Sequence, residues 1–139
     1  MDSDMVTLIV PGLLEQVPVI RHWLQSVLAE WMISTEVIAD LALAVTELCT
    51  NIITHGYAGT ISGEIELHLI KYDNILRLTV LDSAPVFVPS QARPAPSDAL
   101  AERGYGLILV RALVDEFSHQ GRGIHGNQIT LIKKDVREV

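Results

Sequence analysis

Leu41–Tyr57 reads LALAVTELCTNIITHGY. In this stretch and just ahead of it, Val37, Leu41, Ala44, Val45, Leu48 and Ile52 recur at helical spacing. Ser34 and Thr35 offer caps at the start and Gly56 a stop at the end. Glu47, Asn51 and His55 stand at i, i+4 and i+8 and so line one face beside that apolar stripe. A carboxylate and an amide on the inner side of a helix cost free energy to bury unless they are paired. Two readings of the face follow. Either it is a wet helix edge turned to solvent, or it is a site where Asn51 offers Mg²⁺ a hard oxygen ligand and Glu47 accepts a proton from a nucleophile. His55 reads as a capping or packing residue, and Cys49 as a small core residue.

Upstream, Met5–Val10 (MVTLIV) is apolar and β-branched until Pro11-Gly12 stops it, which predicts a short strand. Leu14, Val17, Ile20, Leu24, Val27 and Leu28 then predict a helix from Leu13 to about Trp31, with Pro18 in its first turn or marking a later start. Downstream the period changes. From Gly63 to Ile70, Ile65, Leu67 and Leu69 alternate with Glu64, Glu66 and His68, as in a strand with one wet face. Asp73-Asn74 makes the turn, and Ile75–Leu81 returns. Residues 83–103 hold four of the six prolines and little periodicity, a loop longer than a compact domain usually tolerates without a function. After Gly106 a helix is predicted to run to Phe117, followed by strands at Ser118–Arg122 and Gln128–Lys133. The order implies an α+β fold, a two-layer sandwich with helices on one face of a mostly antiparallel sheet.

The 139 residues fit one domain over 1–139, and the 49% apolar and 19% charged composition excludes a disordered chain. A net charge of −7 argues against nucleic acid as a partner. The acidic start is unlike a signal peptide, and no stretch approaches the roughly 20 apolar residues of a membrane span. With a single cysteine no internal disulfide can form. The expectation is a soluble cytoplasmic protein with no membrane partner.

Two further places depart from what packing would choose. Asp82 ends an apolar strand before Ser83-Ala84-Pro85, where it either starts a turn or accepts a hydrogen bond from a buried base amine. Arg103-Gly104-Tyr105-Gly106 enters a helix, either as a plain turn or as a place where backbone amides reach a phosphate.

Taken together, TELCTNIITHGY (Thr46–Tyr57), LDSAPVF (Leu81–Phe87), ERGYGLILVRALVDEF (Glu102–Phe117) and GNQITLIKK (Gly126–Lys134) resemble the GHKL, or Bergerat-fold, ATPases. Within them the chain looks most like the serine/threonine kinases of the anti-sigma-factor type. The resemblance implies ATP and Mg as cofactors, with Asn51 ligating Mg²⁺ and Glu47 as general base toward an acceptor hydroxyl. It implies that Asp82 binds the adenine amine, with Thr130 near the same hydrogen-bonded cluster. Gly104 and Gly106, with Tyr105 and Leu107 in the same turn, would border the phosphates. Arg103 would add charge there, and an ATP lid would span about 84–103. The implied partner is a STAS-type anti-sigma-factor antagonist, with a sigma factor as the alternative holding; a homodimer is a further expectation, covering a sheet edge at Val6, Leu8 and Val10. The chain departs from the family at Ala84, where a glycine is common; a methyl there would restrict a positive φ and crowd the base. The alternative function is a catalytically inactive partner-binding module on the same fold.

Overall fold

The computed structural model describes residues 4–57, 63–85 and 107–136. Strand β1 (Asp4–Pro11) leads through a short 3-10 turn at Leu14–Gln16 into α1 (Val17–Glu30), followed by α2 (Thr35–Asn51). A π-helical turn, Ile52–Gly56, extends α2 before strands β2 (Glu64–Tyr72) and β3 (Ile75–Asp82). Helix α3 covers 107–113, and β4 (Glu116–Gly121) and β5 (Asn127–Lys133) close the fold. The strands form one antiparallel sheet in the order β1-β2-β3-β5-β4.

Local chemistry explains most of the boundaries. Pro18 sits in the first turn of α1, where its missing N–H is not needed. That helix ends without a glycine: Met32 takes the left-handed conformation (φ 60°), while the Met32 and Ile33 amides donate to the Ala29 and Leu28 carbonyls. Ser34 caps α2, its Oγ accepting from the Val37 amide. The β2–β3 hairpin turns at Asp73, φ 52°, with Tyr72 facing Ile75 across a two-residue loop.

The alternation expected of β2 holds, since Ile65, Leu67 and Leu69 are fully buried. With Leu76, Leu78, Val80, Ile129 and Leu131 they meet Ile20, Leu24, Leu28, Leu41, Val45 and Leu48 from the two long helices in one core. Removing any of these leucines costs about 2–5 kcal/mol.

Two sequence readings are corrected and a third is sharpened. The helix after Gly106 does not reach Phe117: Glu116 and Phe117 belong to β4 and pair with Ile132 and Leu131, so strand pairing overrides an apolar spacing that continues to look helical. The strand of Val6, Leu8 and Val10 does lie at the sheet edge, as expected, but these three side chains face the core, and its exposed apolar side chains are Met5 and Ile9. Finally, one helical stretch, Thr35–Gly56, is long and apolar enough to cross a membrane by length and composition. Its stripe of Leu41, Ala44, Val45, Leu48 and Cys49 is buried against the rest of the fold, which accounts for that apolarity as a core helix's.

Candidate functional site

Asn51 is the last residue of regular α2, and the next turn widens to π geometry, its closing hydrogen bond running from the Tyr57 amide to the Ile52 carbonyl at 2.8 Å. The extra residue per turn breaks the helical period, so the Glu47–Asn51–His55 face does not continue as one stripe. Asn51, Ile52 and Gly56 border a cavity; Glu47, one turn earlier and partly exposed, and His55 are not among its lining residues. At the turn's end the buried Tyr57 hydroxyl donates to the Glu64 carbonyl (2.6 Å) and accepts from the Ser83 amide (2.9 Å). It thereby ties the exit of α2 to the start of β2 and the end of β3.

Asp82 and Asn127 are the buried polar side chains at the opposite wall, each 4% exposed. Their strands place them directly across from one another, although they are 45 residues apart in sequence. Asp82 Oδ1 accepts from the Ala84 amide (2.9 Å) and from Asn127 Nδ2 (3.0 Å). Asn127 Nδ2 also reaches the carbonyls of Ala84 and Pro85, both at 3.2 Å. On its other side Asn127 Oδ1 accepts from His119 Nε2 at 2.8 Å. Arg122 donates through Nη2 to the Asp82 main-chain carbonyl, 3.1 Å, and to that of His125, 3.0 Å. Gly126, at φ 102°, lies so close beneath this corner that a Cβ would collide with the Asp82 carbonyl oxygen.

Burial pushes the Asp82 carboxyl above its usual range, with the Asn127 and Ala84 hydrogen bonds and the charges of Arg122 and His119 opposing that shift. Both hydrogen bonds that described residues bring to the carboxylate go to Oδ1, so Oδ2 can accept a further hydrogen bond. The cavity between the two walls is partly open and small, about 40 Å³. Leu48, Ile52, Ala84, Leu107 and Ile129 give it apolar walls, with Asn51, Asp82, His119 and Asn127 as its polar points. A flat heteroaromatic base with an exocyclic N–H donor matches that lining. Cys49, fully buried, has its thiol pushed up to about 12 by burial and then by the Asp82 charge, which suits an inert core residue.

The fold therefore brings Asn51, Asp82 and Leu107 to one cavity from three separate elements. It does not bring Thr130 there. Thr130 pairs with Thr79 and Ser118, one position out of phase with the inward-facing Ile129 and Leu131, and the partner of Asp82 is Asn127. Arg103, Gly104, Tyr105 and Gly106 lie outside the described residues, as does the expected lid beyond Pro85. Ala84 is not at a positive φ, so its methyl is unstrained; it lines the cavity opposite Gly56, where a second Cβ would approach it to 3.0 Å. Asn127, His119 and Arg122 were not singled out from the sequence. The available signal was the segment GNQITL, but only strand register connects it to Asp82.

A family model described as a histidine kinase-like ATPase domain matches residues 10–133. A serine-protein kinase RsbW of Bacillus pumilus is 33% identical over 127 residues, spanning 84% of this chain and 78% of the relative. One of Bacillus subtilis is 32% identical over 123 residues, spanning 83% and 77%. The crystal structure of the RsbU and RsbW domains of Rv1364c from Mycobacterium tuberculosis shares the fold, with a TM-score of 0.73 at 24% identity. That match covers 98% of this chain but only 34% of the other, so the chain spans about a third of it.

Proposed function

As the chain belongs to the histidine kinase-like ATPase domain family, we propose that it is a Mg-ATP-dependent serine/threonine kinase of the anti-sigma-factor type. Its substrate would be a serine or threonine of a STAS-type antagonist. The reading rests on a single observation: Asn51 at the end of α2 and the buried Asp82 at the end of β3 line the same apolar cavity. Nothing in strand or helix packing calls for a carboxylate there.

Asp82 Oδ2 accepts the exocyclic amine of adenine, while Leu48, Ile52 and Ile129 supply the apolar contacts to the base. Asn51 offers its side-chain oxygen to Mg²⁺; among the described residues no cluster of three or more His, Cys, Asp or Glu could hold a metal. That donor set fits an ion held mainly by phosphate oxygens and water. Bound there, Mg²⁺ supplies the positive charge that phosphoryl transfer requires. Glu47 lies one helical turn before Asn51, within the part of the helix open to solvent, and takes the proton as the acceptor oxygen attacks phosphorus and the bond to ADP breaks. Arg103, Gly104, Tyr105 and Gly106 border the phosphates in this scheme, and the lid spans about 84–103. Partner switching, with a sigma factor as the alternative occupant, a homodimer and a cytoplasmic location complete the proposal.

The test is calorimetric titration of ATP with and without Mg²⁺, for the native chain and for Asn51→Ala. Micromolar binding that requires both the metal and Asn51 supports the reading; binding indifferent to either overturns the Asn51 assignment. Glu47→Gln should abolish phosphate transfer to the antagonist while ATP stays bound.

A second reading, a binding module without transfer, draws on Ala84, whose buried methyl narrows the cavity. Ala84→Gly binding ATP at least tenfold more tightly would favour it, and phosphate transfer by the native chain would end it.

A further inference from the structure

The two last strands carry polar groups that the proposed chemistry does not use directly. His119 lines the cavity from β4 and donates its Nε2–H to Asn127 Oδ1, and Asn127 in turn directs Nδ2 at Asp82 Oδ1. We propose that His119 is a positioning residue for base selection: by holding the oxygen end of the Asn127 amide, it keeps the amide's donor end on Asp82 and reserves Asp82 Oδ2 as an acceptor. The inference rests on the nucleotide-site reading above.

The geometry gives the relay one direction. Asn127 Nδ2 faces three acceptors, Asp82 Oδ1 and the carbonyls of Ala84 and Pro85. An amide turned by 180° would set oxygen against oxygen at all three contacts. The Oδ1 end must therefore receive a donor, and among the described residues His119 Nε2 is aimed at it, held on the inward side of β4 one diagonal step from Asn127. This assigns the imidazole proton to Nε2. With His119 in place the amide supports an Asp82 that accepts, and an accepting carboxylate selects a base presenting an exocyclic amine. A base with a carbonyl oxygen at that position would instead meet a lone pair. The charge of Arg122 acts in the same sense, favouring the ionised Asp82 against its burial. Selectivity is thus set by residues that need not touch the amine.

The experiment compares the affinities of ATP and inosine triphosphate, which differ in having an amine or a carbonyl at that position of the base. Both are displaced against a fluorescent ATP analogue on the full chain. The native protein should prefer ATP by tenfold or more. His119→Leu removes the donor at similar volume and should lose ATP affinity about tenfold with inosine triphosphate affinity unchanged, collapsing the preference; His119→Gln, which retains an N–H donor, should restore the preference to within threefold. Equal losses for both nucleotides would make His119 a mere wall of the cavity and overturn the proposal, as would an unchanged ratio in His119→Leu. Should that variant fail to fold, His119→Phe keeps the ring volume and takes its place. Failure of the underlying site reading is distinguishable, because the native protein would then bind neither nucleotide or bind both alike.

Discussion

Strands β3 and β5 run side by side, and their two ends treat polar groups in opposite ways. At one end Asp82 faces Asn127, and both are buried. At the other, Leu76 faces Lys133, whose Nζ donates to Asp40 Oδ2 (3.2 Å) and to the Leu113 carbonyl (3.0 Å). The Lys133 pair is partly open to water, its side chains 18% and 34% exposed, and next to it Lys134 pairs with Glu116 on the surface. The same sheet thus uses charge as a fastener at one end and, under the proposed function, as a recognition group at the other. What separates them is burial: the open ion pair loses little when broken, whereas a carboxylate with one oxygen bonded and desolvated invites a ligand.

The sharpest way to break the comparison is Gly126→Ala. A Cβ there collides with the Asp82 carbonyl at a backbone angle, φ 102°, that side chains rarely adopt. The variant should lose about 3 kcal/mol in urea unfolding and lose nucleotide binding with it. A midpoint equal to the native protein's would mean the Asp82 corner is not tightly built.

Asp82→Asn comes next. Burial raises the native carboxyl above the usual carboxylate range, so the folded state holds its proton to higher pH than the unfolded chain does. The native protein's stability from this group therefore falls as pH rises from about 4 through the raised value, because ionisation favours the unfolded state. The variant lacks that slope. The stability difference between the two, measured from pH 4 to 7, should grow with pH in favour of Asp82→Asn, even as ATP binding drops at least tenfold. A difference independent of pH would contradict the burial of an ionising group.

At the fastener end, Lys133→Ala should cost about 1 kcal/mol or less and leave nucleotide affinity unchanged, and Lys134→Ala should leave the unfolding midpoint where it was. An effect of either on ATP binding would join the two ends functionally and blur the distinction drawn between them.

How legible all this was varies with the range of the interaction. Ile65, Leu67 and Leu69 announced β2 by alternation, and Ser34 announced the start of α2 by its capping chemistry; both signals are contained in a few neighbouring residues. Phe117 misled because its spacing from Val110, Leu113 and Val114 fits a helix, while its conformation is decided by pairing with Leu131. Asn51, Asp82 and Leu107 were recognisable as candidates because each breaks a local pattern or belongs to a quotable motif. Thr130 was chosen over Asn127 for want of the register.

The amino-acid sequence by itself determined the α+β layering, the antiparallel hairpin of β2 and β3, and a polar residue at the end of α2 and of β3. These follow from side-chain periods of two and of about 3.6, which each segment expresses alone. Only the tertiary structure decided that α2 ends in a π turn, that Gly126 packs beneath Asp82, and that His119, Asn127 and Arg122 surround that carboxylate. Those outcomes depend on which strand lies beside which and in what register, and a one-residue slip in β5 would have turned Asn127 to the other face.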